Sequence, residues 1–405
     1  MYLASSSGMD GFIFNDYLRE QVEYVNRNLL DFIRVNAQAG RLPYHVAGIT
    51  EQQLTTLHLP SLSSEKQRIL RTPVLCFRPI VSTAREFALL FDEGSQLSHR
   101  LQSIANATPN YPSNNEAAIR VRYENKRYLE MLKTVLAVNH TAAPMLGLST
   151  EIAEMIKAMS LVKLHAGTSK WHFPLFEWRY QGDSFWHAVT TNRLSEEALA
   201  HFIMQTCFDR ETPTHPPKTN KRIGKFLQEL YSEAMIRMGA RPSTINALFL
   251  VPTNIAKRRY TEVHGKAATT GKIPTGNAYY TQSPAHRVQS STFVWLYRHG
   301  LRSSENVYEA TISAANKCSL LFTVNPLLHC DRAAVLAQTF LKFQNLHLAP
   351  CRKCRTPYVL QSSGDKIELQ DFFKCPCCTN MLKYSSDAGS VKKRRRSRVS
   401  AGVED

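Results

Sequence analysis

With 405 residues, of which 43% are hydrophobic and 10% aromatic, the chain cannot be a disordered polymer and is long enough for two or three cores. Its opening residues lack the basic start and apolar run of an export signal, and no apolar run reaches the roughly eighteen residues of a membrane span, so a soluble cytoplasmic protein without membrane contact is expected. The net charge of +17 is localised: residues 218–302 hold fourteen Lys or Arg against three Glu, residues 392–398 add six basic residues, and together these account for the whole excess. A surplus gathered in one region and one tail is the footprint of a protein that neutralises phosphates, which favours a nucleic-acid partner over a merely solvated basic face.

The first two hundred residues contain an internal repeat. Residues 24–33 align with residues 123–132 at an offset of 99, sharing Tyr24 with Tyr123, Asn26 with Asn125 and Leu30 with Leu129. The same offset brings Gly48, Ile49 and Thr50 onto Gly147, Leu148 and Ser149, and Ser61 and Leu62 onto Ser160 and Leu161. After a two-residue shift, residues 75–78 fall on residues 176–179. Each copy reads as helical. Val22, Val25, Leu29, Leu30, Phe32 and Ile33 form one apolar stripe, and Tyr128, Leu129, Leu132, Val135 and Leu136 form its counterpart. Thr50 with Gln53, and Ser149, are helix-capping hydroxyls after the glycine step. The short apolar runs 74–77 and 175–178 are predicted single strands that pair across a pseudo-twofold, and residues 106–116 are the linker between copies. This half is expected to be a dimerisation or partner platform.

Prolines in residues 209–217 mark a boundary, since they cannot continue a helix. A helix is predicted over 223–238 with Ile223, Phe226, Leu227, Leu230, Met235 and Met238 on its buried face, ended by Gly239. Arg241 then precedes Pro242, which opens a short helix through Phe249; after residues 250–252, Thr253 is the expected cap of a basic helix. A short helix, a tight turn and a basic second helix make a helix-turn-helix pattern, whose second helix lies in a major groove. Candidate DNA contacts are Arg241, Thr253, Asn254, Lys257, Arg258 and Arg259, with Lys266 and Lys272 on the following Gly-, Thr- and Lys-rich loop. That loop lacks the order of a phosphate-binding P-loop. A plain helical hairpin is the competing reading. Phe293, Trp295, Leu296 and Tyr297, and later Val335, Leu336, Phe340, Leu341 and Phe343, mark further helices with core aromatics. His299, His329 and His347 all read as ordinary core or surface histidines, with contact to a metal's outer shell the alternative for His347, which lies four residues before Cys351.

Cys351, Cys354, Cys375 and Cys378 form two C-x-x-C knuckles separated by twenty residues. Each turn brings two sulfurs to one edge of a tetrahedron, so the spacing predicts one structural four-thiolate zinc site. A C-x-C pairing would recruit Cys377, but Cys378 repeats the geometry of the first knuckle. Residues 358–361 and 367–370 are predicted to form a hairpin between the knuckles, making a zinc ribbon. Cys76, Cys207, Cys318 and Cys330 are scattered among apolar neighbours, and no disulfide framework is expected.

Residues 235–242 and 255–260, then residues 271–274, the later helices, both knuckles and the basic residues 392–396, together resemble the FlhC subunit of the bacterial flagellar master transcriptional activator, FlhDC. Each N-terminal copy resembles the companion FlhD subunit in its helix, glycine step and apolar run. The resemblance implies a mainly α fold: FlhD-like repeats over 1–105 and 117–193, an FlhC-like helical DNA-binding domain over 194–348, a zinc ribbon over 349–390 and a basic tail over 391–405. It further implies a non-enzymatic, nucleoid-associated activator of flagellar, conjugative or other genes that binds double-stranded promoter DNA and recruits RNA polymerase. One zinc ion per chain would be held by Cys351, Cys354, Cys375 and Cys378. Because the family assembles four D with two C subunits, a homodimer of this chain would reproduce the whole. The competing classes are a nucleic-acid-processing enzyme with an accessory ribbon, which lacks the clustered carboxylates it needs, and a zinc-stabilised protein-binding adaptor.

Overall fold

A computed structural model describes residues 8–58, 69–92, 97–206, 223–269, 271, 276–304, 306–341, 346–362 and 367–382. The repeat is visible first in two helices of 23 residues each, α1 (Asp16–Gln38) and α5 (Glu116–Val138). Asn15 and Asn115 cap them, accepting from the Leu18 and Ala117 backbone N–H groups. Both predicted apolar stripes are buried. The chain then turns at Gly48 and Gly147, whose φ angles of 70° and 69° place them in the left-handed region that favours glycine. Beyond these steps come α2 (Glu51–His58) and α6 (Thr150–Ala158). Thr50 and Gln53 make the predicted reciprocal capping box, while Ser149 accepts from Ile152 N. Residues 61 and 62 lie outside the described residues, whereas Ser160 caps α7 (Leu161–Ser169).

The predicted strands exist, displaced toward their C-terminal ends, as β1 (Phe77–Pro79) and β2 (Phe176–Trp178), paired antiparallel. Their register corrects one detail of the alignment. Phe77 faces Trp178, Arg78 faces Glu177 and Pro79 faces Phe176, so the pseudo-twofold runs through Arg78 and Glu177 and the offset of 99 holds without any shift. Each copy closes with α3 (Ala84–Leu89) and α4 (His99–Ala107), or with α8 (Asp183–Thr190) and α9 (Glu196–Gln205).

The C-terminal half is built on α13 (Pro284–Ser303), started by the Ser283 cap and Pro284, and buried at every position from Val288 to Tyr297. A helix apolar or small around its whole circumference must be a core helix. It packs on α9, on α14 (Val307–Leu321), on α15 (Cys330–Leu341) and on a terminal strand. Three further helices, α10 (Lys225–Arg237), α11 (Pro242–Phe249) and α12 (Thr253–His264), pack on one another around a second, smaller core. Here the predicted face of α10 is partly wrong. Phe226 is 73% exposed; the buried residues are Tyr231, Ser232, Ala234, Met235 and Ile236, while the predicted Ile223, Leu227, Leu230 and Met238 are half-buried against the same core. Gly239, at φ 84°, ends the helix region as expected.

The hairpin predicted between the knuckles is also corrected. β3 (Leu346–Pro350) pairs antiparallel with β4 (Pro357–Gln361) across the first knuckle. Residues 367–369 form no strand; Glu368 instead closes back on Gln361 through its backbone and carboxylate, and Arg287 binds that carboxylate at 2.6 Å. Among the described residues, no helix is long and apolar enough to cross a membrane.

A polar seam joins the two halves. His140 contacts Glu309 at 2.6 Å, and Tyr231 donates to the other Glu309 oxygen at 3.1 Å. Burial opposes charge on Glu309, yet the hydrogen bonds from His140 and Tyr231 hold it below its usual value. Beside it Lys317 is buried against Thr141 Oγ1 (2.6 Å) and Ser313, and burial pushes its ammonium down to about 7 from 10.5. Between those values the unfolded chain binds one proton more than the folded chain, so this residue makes stability rise with pH and exacts its full penalty below about 7. Lys317→Met is therefore expected to raise the urea midpoint relative to wild type at pH 7, with the gap closing toward pH 10. An equal change at both pH values would contradict the buried-cation account.

Candidate metal centre and nucleic-acid interface

The knuckles are shaped by backbone turns. In the first, Arg355 N bonds to Cys351 O and Cys351 N to Thr356 O, with Arg355 at φ 63°; in the second, Thr379 N bonds to Cys375 O, with Asn380 at φ 54°. These turns aim backbone N–H groups at sulfur: Cys375 N lies 3.2 Å from Cys351 Sγ, and Cys378 N lies 3.4 Å from Cys375 Sγ. The Sγ atoms of Cys351, Cys354, Cys375 and Cys378 all lie within 4.8 Å of one another. Cys354 and Cys375 are 3.6 Å apart, close to the edge of about 3.8 Å that a tetrahedron with metal–sulfur bonds of about 2.3 Å requires. The donor set and its spacing therefore fit a metal ion. Cys377 is outside this foursome, so the structure brings together the four cysteines that the sequence spacing selects.

The protonation of the sulfurs supports the same fit. The hydrogen bond from Cys375 holds the Cys354 thiol far below its usual value, with help from His201 and Thr356 and against the effect of burial. Cys375 is driven up in return, through its bond to Cys354. Binding of a dication would displace the thiol protons of these cysteines.

His201 is a neighbour the sequence reading missed. It lies on α9, 2% exposed, with Nδ1 2.8 Å from the Tyr358 hydroxyl and hydrogen bonds to Cys354 and Cys377. Burial alone would lower its pKa, but the adjoining sulfurs raise it to about 9. No spacing could reveal it, because it stands on a helix 150 residues before the first knuckle. His347 is a β3 residue paired in register with Leu360. His299 packs against Trp295, and His329 is exposed.

The candidate nucleic-acid residues fall into three groups. α11 ends at Phe249, Leu250 takes the left-handed conformation at φ 56°, and α12 begins three residues later with Thr253 inside the helix and Pro252 in the cap position expected of Thr253. Only Ala256 of α12 is buried, while Thr253, Asn254, Lys257 and Arg258 are exposed and Arg259 is half-buried. Arg241 stands apart. Its Nε is 3.2 Å from Asp331, its backbone N–H donates to the same carboxylate, and Nη1 donates to Gly271 O, so it fastens the start of α11 to α15. Lys266 is exposed just beyond Gly265; Lys272 and the basic tail lie outside the described residues.

The site thus defines a mainly helical scaffold that carries a basic helix and a metal-capable four-thiolate module. Residues 221–395 match the family described as the flagellar transcriptional activator FlhC. The flagellar transcriptional regulator FlhC of Paraburkholderia phymatum is 27% identical over 183 residues, covering 43% of this chain and 78% of the relative. About the last 180 residues therefore resemble that family, and the described relatives are regulators, in keeping with a chain that is not an enzyme. The family match begins at residue 221 and so does not cover the N-terminal repeats.

The cysteine assignment is directly testable. Cys377→Ser is expected to retain the bound metal found in wild type by atomic emission, whereas Cys378→Ser loses it and melts earlier. The opposite ranking would move the fourth ligand to Cys377.

Proposed function

We propose that this chain is a transcriptional activator of the FlhDC type that carries both kinds of subunit: two D-like units, residues 1–105 and 117–193, ahead of a C-like region, 194–348, with a zinc ribbon at 349–390 and a basic tail at 391–405. The observation that carries the C-like part of the reading is the family match over 221–395, which contains both the exposed basic face of α12 and the complete thiolate foursome, while the D-like part rests on the internal repeat and its sequence resemblance. Zn2+, one per chain, would be held by Cys351, Cys354, Cys375 and Cys378, and when bound it cross-links the two knuckles and supplies folding energy on the order of 10 kcal/mol. His201 and Thr356 orient and neutralise the thiolates around Cys354.

In this reading α12 enters the major groove of promoter DNA, Lys257, Arg258 and Arg259 contacting phosphate or guanine edges and Thr253 and Asn254 approaching from its N-terminal end. Lys266 and Lys272 add backbone contacts, and Arg241 holds the unit in place through Asp331. The bound protein then recruits RNA polymerase in the bacterial cytoplasm. Two chains supply four D-like and two C-like units, so a homodimer is the working assembly.

Two measurements test this. Lys257→Ala is expected to weaken binding to duplex DNA at all sequences and to reduce the slope of log affinity against log salt by about one, while Arg258→Ala relaxes specificity by about 1–3 kcal/mol at one base pair. Duplex affinity that is indifferent to salt and to both substitutions would sink the DNA reading. Light scattering on the eluting protein is expected to give twice the mass of one chain, and a stable monomer at micromolar concentration would rule out the proposed assembly.

A further inference from the structure

A duplicated unit that pairs with its own copy begins with the same residue on both sides of the twofold. In this chain the two sides have diverged to opposite charge. Arg78 and Glu177 are 99 residues apart, occupy equivalent places in the two copies and face each other in the β1–β2 register. Arg78 Nη2 lies 2.8 Å from Glu177 Oε1 and its Nε donates to that oxygen at 2.9 Å, while Arg100 Nη2 reaches Oε2 at 2.7 Å. The Glu177 side chain is only 6% exposed and that of Arg78 18%, so neither charge is dispersed by bulk water.

The apolar neighbours have also diverged, Pro79 standing where the second copy has Trp178. Phe77 meets Trp178 edge-on with ring centres 5.3 Å apart, and Pro79 meets Phe176. Two copies of the first unit would set Phe against Pro on both sides of the axis; two copies of the second would set Phe against Trp on both sides.

We propose that Arg78 and Glu177 are a pairing lock: this interface accepts the first unit against the second and rejects two copies of either. Like pairing would bring two guanidinium groups, or two carboxylates, together on the axis of a water-poor interface, where repulsion is strong. The partner that each unit's surface fits is the other unit type. The short connection between α4 and α5 keeps the two units of one chain at high mutual concentration, so they pair within the chain. A second chain can enter here only by exchanging units reciprocally. The inference rests on the register and the ion pairs and is independent of the DNA-binding reading.

The test uses the full-length chain. Arg78→Glu and Glu177→Arg are each expected to lower the melting temperature by roughly 5 °C or more. Glu177→Arg is expected to cost more, because it gathers three guanidinium groups whereas Arg78→Glu leaves Arg100 between two carboxylates. The double exchange Arg78→Glu with Glu177→Arg is expected to recover at least half of the summed loss. Co-expression of the two single variants under different tags then reads selectivity itself. Reciprocal exchange restores opposite charges on both axes, so the mixed species is expected to exceed that from two differently tagged wild-type chains, and to rescue solubility if either variant alone misfolds. A double variant as damaged as the two singles combined, or a mixed yield no higher than wild type, overturns the lock.

Discussion

The N-terminal half depends on one buried amide in each of its long helices. A two-stranded ribbon only three residues wide leaves backbone groups beside it with no strand to bond to, in a place water does not reach. Asn26 on α1 donates to Val74 O at 3.0 Å and accepts from Cys76 N at 2.7 Å. Asn125 on α5 does the same for Phe173 O at 2.9 Å and Leu175 N at 2.7 Å. Both asparagines are fully buried. An unmet donor or acceptor there would cost about 1–3 kcal/mol, so each helix is pinned to the strand entry of its own unit. The ribbon is then extended by a symmetric pair of bonds, Ile80 N to Leu175 O and Arg179 N to Cys76 O, at 3.0 and 2.8 Å.

From this ribbon the order propagates to the thiolate module by a short chain of contacts. Arg179, the residue after β2, is buried and donates to Thr206 Oγ1 and Ile203 O at the end of α9. The same helix places His201 against Tyr358 on β4 and beside Cys354, and its first turn places Glu196 where the Val324 N–H and the Thr323 hydroxyl donate to it. The module is thus held on one side by α9 and on the other by α13, whose Ser291 hydroxyl accepts from Val359 N. This explains why the expected boundary at residue 194 has no gap in packing: the large core runs continuously from Phe14 through α13 to Cys351 and Cys375.

What the sequence made legible were features whose cause is local. The apolar stripes of α1 and α5, the left-handed glycines at 48 and 147, the capping box at Thr50 and the thiolate foursome each follow from residues within one turn or one motif. The errors have a common origin in contacts between distant segments. Arg78 and Arg179 invited an alignment shifted by two residues because they share a side chain, whereas the true correspondence is fixed by what Asn26 and Asn125 bind. The partner of β4 was sought after it, among residues 367–370, yet β3 lies before it and closes the first knuckle directly. Phe226 looked like core because it keeps helical spacing, but α10 meets its neighbours only beyond that residue. His201 carried no local signal at all.

The three-helix unit combines firm anchorage with an open face, and the two follow from the same division of residues. Its core draws on Met9 and Phe12 from the chain's beginning and on Ile312, Cys330 and Ala334 from α14 and α15, so α10 and α11 are seated on both halves of the molecule. Tyr231 strengthens that seat through Glu309 and Asn306, bonds whose removal would leave buried polar atoms unpaired. α12 contributes Ala256 to the core, with Ile255 and Tyr260 half-buried against it, and its ring contact between Tyr260 and His264 and the bond from His264 to Ile236 O secure its last turn. A helix held at its end and along one narrow edge has its remaining circumference free of packing duty. On α12 that circumference is where Asn254, Lys257 and Arg258 stand, Arg258 paired with Glu262 one turn on at 3.6 Å, so none of these side chains is part of the core.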